Sequence, residues 1–185
     1  MPYATAEELR LLVRPNGTPF TADEEAQADL LLDLAAGAIE AETGQALELG
    51  TDTVLLDADG GRTLILPRWP VTAVTAVTLT EDGTTLTHGP TGYTWSAAGL
   101  LYRAATCWPR GPRAVDITYT AGHAPIPRGV RGIALRLAKA AMLTPGVLSQ
   151  ETLGDHSVIY ASPEDAGMVL TAADRRTLGA YLART

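Results

Sequence analysis

Two kinds of hydrophobic spacing divide this chain: apolar residues recur three and four apart before about position 50 and after about position 122, and alternate with polar ones in between. Thr5-Ala6-Glu7-Glu8 reads as a capping box, with the Thr5 hydroxyl accepting from the backbone at Glu8 while the Glu8 carboxylate reaches back, so a short helix is predicted to about Val13. Arg14-Pro15-Asn16-Gly17 ends it. A second box, Thr21-Ala22-Asp23-Glu24, opens a longer helix to about Thr43, stopped by Gly44, which most readily adopts the left-handed cap. That helix would be about 35 Å long. Turned at the helical angle, it places Leu30, Leu31, Leu34, Ala35, Ala38 and Ile39 on one broad face and Glu25, Asp29, Asp33 and Glu40 on the opposite side.

From Thr51 to Thr120 the period falls to two. Thr53 to Leu56, Thr63 to Leu66, Val71 to Leu79, Thr84 to Thr87, Tyr93 to Ser96, Leu100 to Tyr102 and Val115 to Tyr119 read as short strands, with Val71 to Thr78 the clearest. Asp57-Ala58-Asp59-Gly60-Gly61, Glu81-Asp82-Gly83 and Gly89-Pro90-Thr91-Gly92 are turn chemistry. Helical spacing resumes from Arg128 to about Thr144, breaks at Pro145-Gly146, and closes from Thr171, a cap with Asp174 at the box position, to about Leu182. The predicted fold is α+β. N-terminal helices (residues 1–50) and C-terminal helices (123–185, with an extended segment near 155–161) form a four-helix bundle, and residues 51–122 are inserted as a small antiparallel β lobe, sandwich or barrel.

Composition narrows the function. At 185 residues the chain is long enough for a real core, but Phe20 is its one phenylalanine, so the interior is built from Leu, Val, Ile and Ala with a few Trp and Tyr. The formal charge of −7 argues against sequence-independent nucleic-acid binding, which relies on Lys and Arg to displace phosphate counterions. Lys139 is the one lysine against thirteen arginines, a bias that reads as that of a GC-rich genome. A single cysteine, Cys107, excludes an internal disulfide and suits a reducing compartment. Glu7 and Glu8 stand where a signal peptide needs cations, and no apolar run approaches the ~20 residues of a membrane span, so a soluble protein made in the cytoplasm is expected.

Charge is segregated between helices. Ala22 to Thr43 holds seven carboxylates (Asp23, Glu24, Glu25, Asp29, Asp33, Glu40 and Glu42) and no cation, whereas Arg128 to Thr144 holds Arg128, Arg131, Arg136 and Lys139 and no carboxylate, with Ile133, Ala134, Leu137, Ala140 and Ala141 on its other side. Such rows are most often solvated faces. The sharper alternatives are that the two helices face each other within one molecule, or that the basic face of one subunit meets the acidic face of the next, a heterologous contact that closes into a ring when the rotation allows.

Catalytic chemistry is thinly represented. Glu151, Asp155 and His156 lie close together, but no HExxH or paired-cysteine spacing accompanies them, and no metal or cofactor is expected. Cys107 with His123 has no evident orienting third group, so a buried or incidental thiol is the plainer reading and no enzymatic activity is expected. Trp69, Trp95 and Trp108 would form an aromatic platform for a glycan or host surface if they shared a face of the β lobe; packing in the core or at the lobe edge is the usual fate of isolated tryptophans.

Three stretches carry a resemblance. The first is Ala22 to Gly44, a long, Ala-rich, acidic helix ahead of Thr43-Gly44-Gln45. The second runs from Trp108-Pro109-Arg110-Gly111 through Val115-Asp116-Ile117-Thr118-Tyr119-Thr120-Ala121-Gly122 to Pro125-Ile126-Pro127, and the third is Glu151, Gly154, Asp155, Ser157, Val158 and Tyr160. In this order they resemble the head-to-tail connector (adaptor) proteins of long-tailed bacteriophages. The resemblance implies a non-enzymatic virion protein, assembled in the host cytoplasm. It would form a ring, commonly of twelve copies, that docks below the portal, joins it to the next neck, stopper or tail component, and lets DNA pass unbound. Arg128, Arg131, Arg136, Lys139, Glu151, Asp155, Ser157 and Tyr160 are then candidate contacts to a neighbouring subunit or the portal, and Glu25, Asp29, Asp33 and Glu40 a row facing either the lumen or the next subunit. The segment Ser157 to Tyr160 is expected to be extended, pairing with a neighbouring chain by β-augmentation or internally with the β lobe. The β block of about seventy residues departs from the simplest all-helical connectors.

Overall fold

A computed structural model describes residues 3–15, 17–143, 150–153, 156–159 and 168–184. The elements run α1 (Ala6–Val13), α2 (Ala22–Thr43), β1 (Gly50–Asp59), β2 (Thr63–Ile65), β3 (Val71–Leu79), β4 (Thr94–Trp95), β5 (Leu100–Tyr102) and β6 (Arg110–Ala121). They continue with α3 (Arg128–Leu143), β7 (Gln150–Leu153), β8 (His156–Ile159), α4 (Ala172–Leu178) and a 3-10 turn, Gly179–Tyr181. The chain is α+β and divides into two compact units, Met1–Thr43 with Ile126–Tyr181, and Gly44–Pro125 with Leu182–Thr185.

The first unit gathers the helices. All three capping boxes form: Thr5 with Glu8, Thr21 with Glu24, and Thr171 with Asp174, each hydroxyl accepting the N3 amide while the N3 carboxylate accepts from the cap. α2 packs along α3, α1 lies against both, and α4 also touches both. Leu9, Phe20, Ala28, Leu32 and Ala138 form one buried cluster, and Ile39, Val130, Leu137 and Leu178 are also buried.

The buried face of α2 is not the one its apolar pattern suggests. Ala28, Leu32, Ala35, Ala36, Ile39 and Thr43 are buried, whereas Leu30 and Leu34 are 59% and 53% exposed. Apolar residues lie around most of this helix, so its periodicity selects no single face, and packing against α1 and α3 decided which side went inside.

The second unit has two three-stranded antiparallel sheets, ordered β1-β6-β3 and β2-β5-β4. One apolar core draws on both: Val71, Val77, Val115, Ile117 and Tyr119 from the first, and Leu64, Leu66 and Leu101 from the second and its flank. β6 is its centre, with Val115, Ile117, Tyr119 and Ala121 all buried at alternate positions. It starts five residues earlier than its alternation indicates, because Gly111 and Pro112 lie at a bulge: the register with β1 shifts between Leu56 and Ala58, and the Arg113 amide donates to Asp57 Oδ1 at 2.7 Å. Conversely, the expected strand over Thr84 to Thr87 shrinks to a bridge between Thr78 and Thr85, and that over Tyr93 to Ser96 to the two residues of β4.

Gly44 takes φ +71° at the end of α2, the cap conformation expected of it. Gly122 is more tightly constrained. Its φ is +111°, and a Cβ there would stand 2.2 Å from the carbonyl oxygen of Glu48.

Candidate assembly surface

The acidic residues of α2 divide into tied and untied groups. Glu24 is held by Arg14 at 2.5 Å, and this guanidinium together with the Thr21 amide keeps its carboxyl below the ordinary range. Glu42 meets Arg175 at 3.4 Å, and Glu40, half-buried, accepts from the Tyr3 hydroxyl at 2.7 Å. Glu25, Asp29 and Asp33 are exposed, and their carboxylates have no hydrogen bond or ion pair among the described residues. The candidate acidic row therefore consists of three open carboxylates, its fourth member being turned into the unit.

The basic residues of α3 do not reach that row, although the two helices pack together. Arg131 pairs with Glu8 of α1, and Arg136 pairs with Asp174, the buried N3 carboxylate of α4. The cations thus tie α3 to the short flanking helices, an outcome that neither intramolecular α2–α3 pairing nor purely intermolecular pairing describes. The Arg131 and Glu8 side chains are 45% and 27% exposed, so their pair contributes about 0 to 1 kcal/mol. Arg128 is exposed and Lys139 half-buried, and neither has an ion-pair partner among the described residues.

Of the remaining candidates, Asp155 and Tyr160, together with the side chains of Glu151 and Ser157, lie outside the described residues. The backbone places Glu151 in β7 and Ser157 in β8, and these strands pair antiparallel, from Gln150 opposite Ile159 to Leu153 opposite His156. Among the described residues the extended segment therefore pairs with its own sequence neighbour, β7, and not with a strand of the β lobe. A short connection brings these strands together at little loop-closure cost.

The β lobe separates the groups that would serve other functions. Trp108 is 2% exposed: its indole donates to the Arg62 carbonyl at 3.0 Å and its face lies under the Arg103 guanidinium at 5.3 Å. Trp95 packs on the core, and the Trp69 indole donates to the Leu182 carbonyl at 2.9 Å. A three-ring glycan platform thus loses Trp108 to the interior. Cys107, exposed, precedes the start of β6, and His123 follows its end. β1 spans the same length in ten residues, so at about 3.3 Å per residue the two ends of β6 lie about 30 Å apart, too far for a nucleophile–base pair. Burial holds the His123 imidazole below its ordinary pKa. No cluster of three or more metal-ligating side chains occurs among the described residues.

The comparisons with known proteins bear on the chain as a whole. It superposes on a chain from the neck of an empty gene transfer agent (GTA) particle computed with C6 symmetry, at a TM-score of 0.65 and 21% identity, over 99% of this chain and 91% of that one. This likeness shows the fold. A chain of the virion of a native GTA particle matches at TM-score 0.63 and 22% identity (99% and 91% covered), and one from the neck of a native particle computed with C12 symmetry at 0.62 and 21% (97% and 89% covered). No family model matches the chain, and no curated protein does. Coverage of 99% takes in the β lobe that all-helical connectors lack, so that lobe is part of the shared architecture.

The residues that sequence reasoning missed are Leu30 and Leu34. It grouped them with Ala35 and Ile39 on one broad apolar face, but Ala35 and Ile39 are buried while these two are among the most exposed large apolar side chains described. A signal was present, since Ala26, Leu30, Leu34, Gly37 and Ala41 repeat at spacings of three and four.

Proposed function

We propose that this chain is a structural protein of the neck of a phage-like particle: a head-to-tail connector that forms a ring below the portal, joins capsid to tail and lets DNA pass. The observation that carries this reading is the full-length likeness to chains of GTA particles whose necks were computed with C6 and C12 symmetry. Its partners are further copies of itself, twelve by the resemblance, with the portal protein on one side and the next neck, stopper or tail component on the other. The helices of the first unit act as a four-helix bundle that carries the contacts, with Arg128, Arg131, Arg136, Lys139 and the 151–160 segment toward a subunit or the portal. The net charge of −7 suits a channel wall that repels phosphate, so DNA passes without being gripped. Cys107 and His123 have no chemical role in this function, and the protein is not an enzyme.

Native mass spectrometry of the purified chain, alone and with the portal protein of the same particle, tests the reading. A ring of copies, formed alone or on the portal, is the expected result, and Cys107→Ala and His123→Ala leave it intact. Particles that build a complete neck without this chain would overturn it.

A further inference from the structure

α2 carries a second apolar face. Ala26, Leu30, Leu34, Gly37 and Ala41 are all exposed, and their four-four-three-four spacing aligns them along the side of the helix away from the buried Leu32, Ala35 and Ile39. At 59% and 53% exposure, Leu30 and Leu34 lie outside the buried core of their own unit among the described residues. Gly37 adds an independent sign. Glycine is a poor helix former, and a Cβ at this position would meet nothing within 4 Å among the described residues, so nothing here explains its lack of a side chain.

The outward strip of α3 has matching features. Arg128, Gly132, Arg136, Lys139 and Leu143 lie along one side, Leu143 is 56% exposed, and Gly132 also faces open space. Gly129 is different, because there a Cβ would come within 3.2 Å of the Thr177 methyl of α4. Of the cations on this strip, Arg128 and Lys139 have no ion-pair partner among the described residues, and Asp29 and Asp33 flank the α2 stripe in the same condition.

We infer that the α2 stripe is a subunit seam, on which the α3 strip of a second copy packs, with Leu30 and Leu34 opposite Gly132 and with Asp29 and Asp33 facing Arg128 and Lys139. Glycine on both helices lets the backbones approach closely, and opposite charges along the flank set the register. Because the two surfaces differ, each copy offers one and receives the other. The contact is heterologous, and it propagates until the rotation closes. The inference rests on the ring reading and resolves its open point: this side of α2 faces the next subunit and not the lumen.

Site-directed cross-linking in a Cys107→Ser chain tests it. With a short bismaleimide, with and without the portal protein, the Leu34→Cys, Gly132→Cys double variant is expected to give a ladder of covalent species beyond the dimer, and each single variant none. Leu34→Lys should weaken association at least tenfold while leaving the melting temperature of the monomer unchanged, and Asp33→Lys combined with Lys139→Asp should restore what either change loses alone. A dimer from Leu34→Cys by itself would mean that the stripe pairs with its own kind, and absence of the ladder from the double variant would mean that it faces something else. Either result overturns the seam. Native mass spectrometry of the chain without cysteines separates the two failures, since a ring without the ladder leaves the connector reading standing and removes only this contact.

Discussion

Arg68 ties together several segments of the β lobe. Its Nε donates to the Ala46 carbonyl at 3.0 Å, Nη2 donates to the carbonyls of Glu48 at 2.5 Å and Ala121 at 3.4 Å, and Nη1 pairs with Asp52, so one side chain joins the segment before β1 to the end of β6. The Arg68 side chain is 15% exposed and Asp52 35%. Arg68→Met keeps the aliphatic stem and removes every donor. Breaking a buried pair costs about 3 to 5 kcal/mol. Water reaches Asp52 and part of the guanidinium, which reduces the expectation to about 2 to 4 kcal/mol, a large share of the ~5 to 15 kcal/mol of a typical domain. Trp69, Trp95 and Trp108 are the only tryptophans and all lie in this unit, so urea unfolding followed by tryptophan fluorescence reads the lobe selectively. With a slope of about 2 kcal/mol per molar urea, the middle of the usual range, the midpoint should fall by roughly 1 to 2 M. Arg68→Lys should lie in between, because one ammonium cannot reach three carbonyls and a carboxylate. A midpoint for Arg68→Met within about 0.3 M of the parent would refute the reasoning.

Two further outcomes follow from the same unit. Gly122→Ala should destabilise the lobe by about 2 to 6 kcal/mol, because a Cβ 2.2 Å from the Glu48 carbonyl oxygen and a φ of +111° both force the backbone to move; fluorescence-detected unfolding measures it, and a change under about 1 kcal/mol would show the turn to be compliant. His123 predicts a pH dependence. Its folded pKa lies below the ordinary value of 6.5, so between the two pKa values the unfolded chain binds more protons; the contribution is fully present above about pH 6.5 and is lost as pH falls toward the folded pKa. The urea midpoint should decline over that window, and His123→Gln should flatten the decline; an unaltered slope in the variant would assign it to other groups.

Local signals in the sequence were enough to place the helices, though not every strand. Thr5, Thr21 and Thr171 each stand three residues ahead of a carboxylate, and all three cap helices because a capping box needs only its own four residues. Gly44 ended α2, and Val115, Ile117 and Tyr119 went inside at alternate positions, for the same local reasons. Pairing over distance was not legible. That β6 is the central strand, that Arg110 to Ala114 extend it through a bulge, and that Arg131 and Arg136 reach α1 and α4 depend on where remote segments arrive. α2 marks the boundary most clearly: its composition made it a helix with apolar residues on two sides, and both sides satisfied the same period. Only the tertiary structure could choose, because α1 and α3 had surface to cover one side, leaving Leu30 and Leu34 in water.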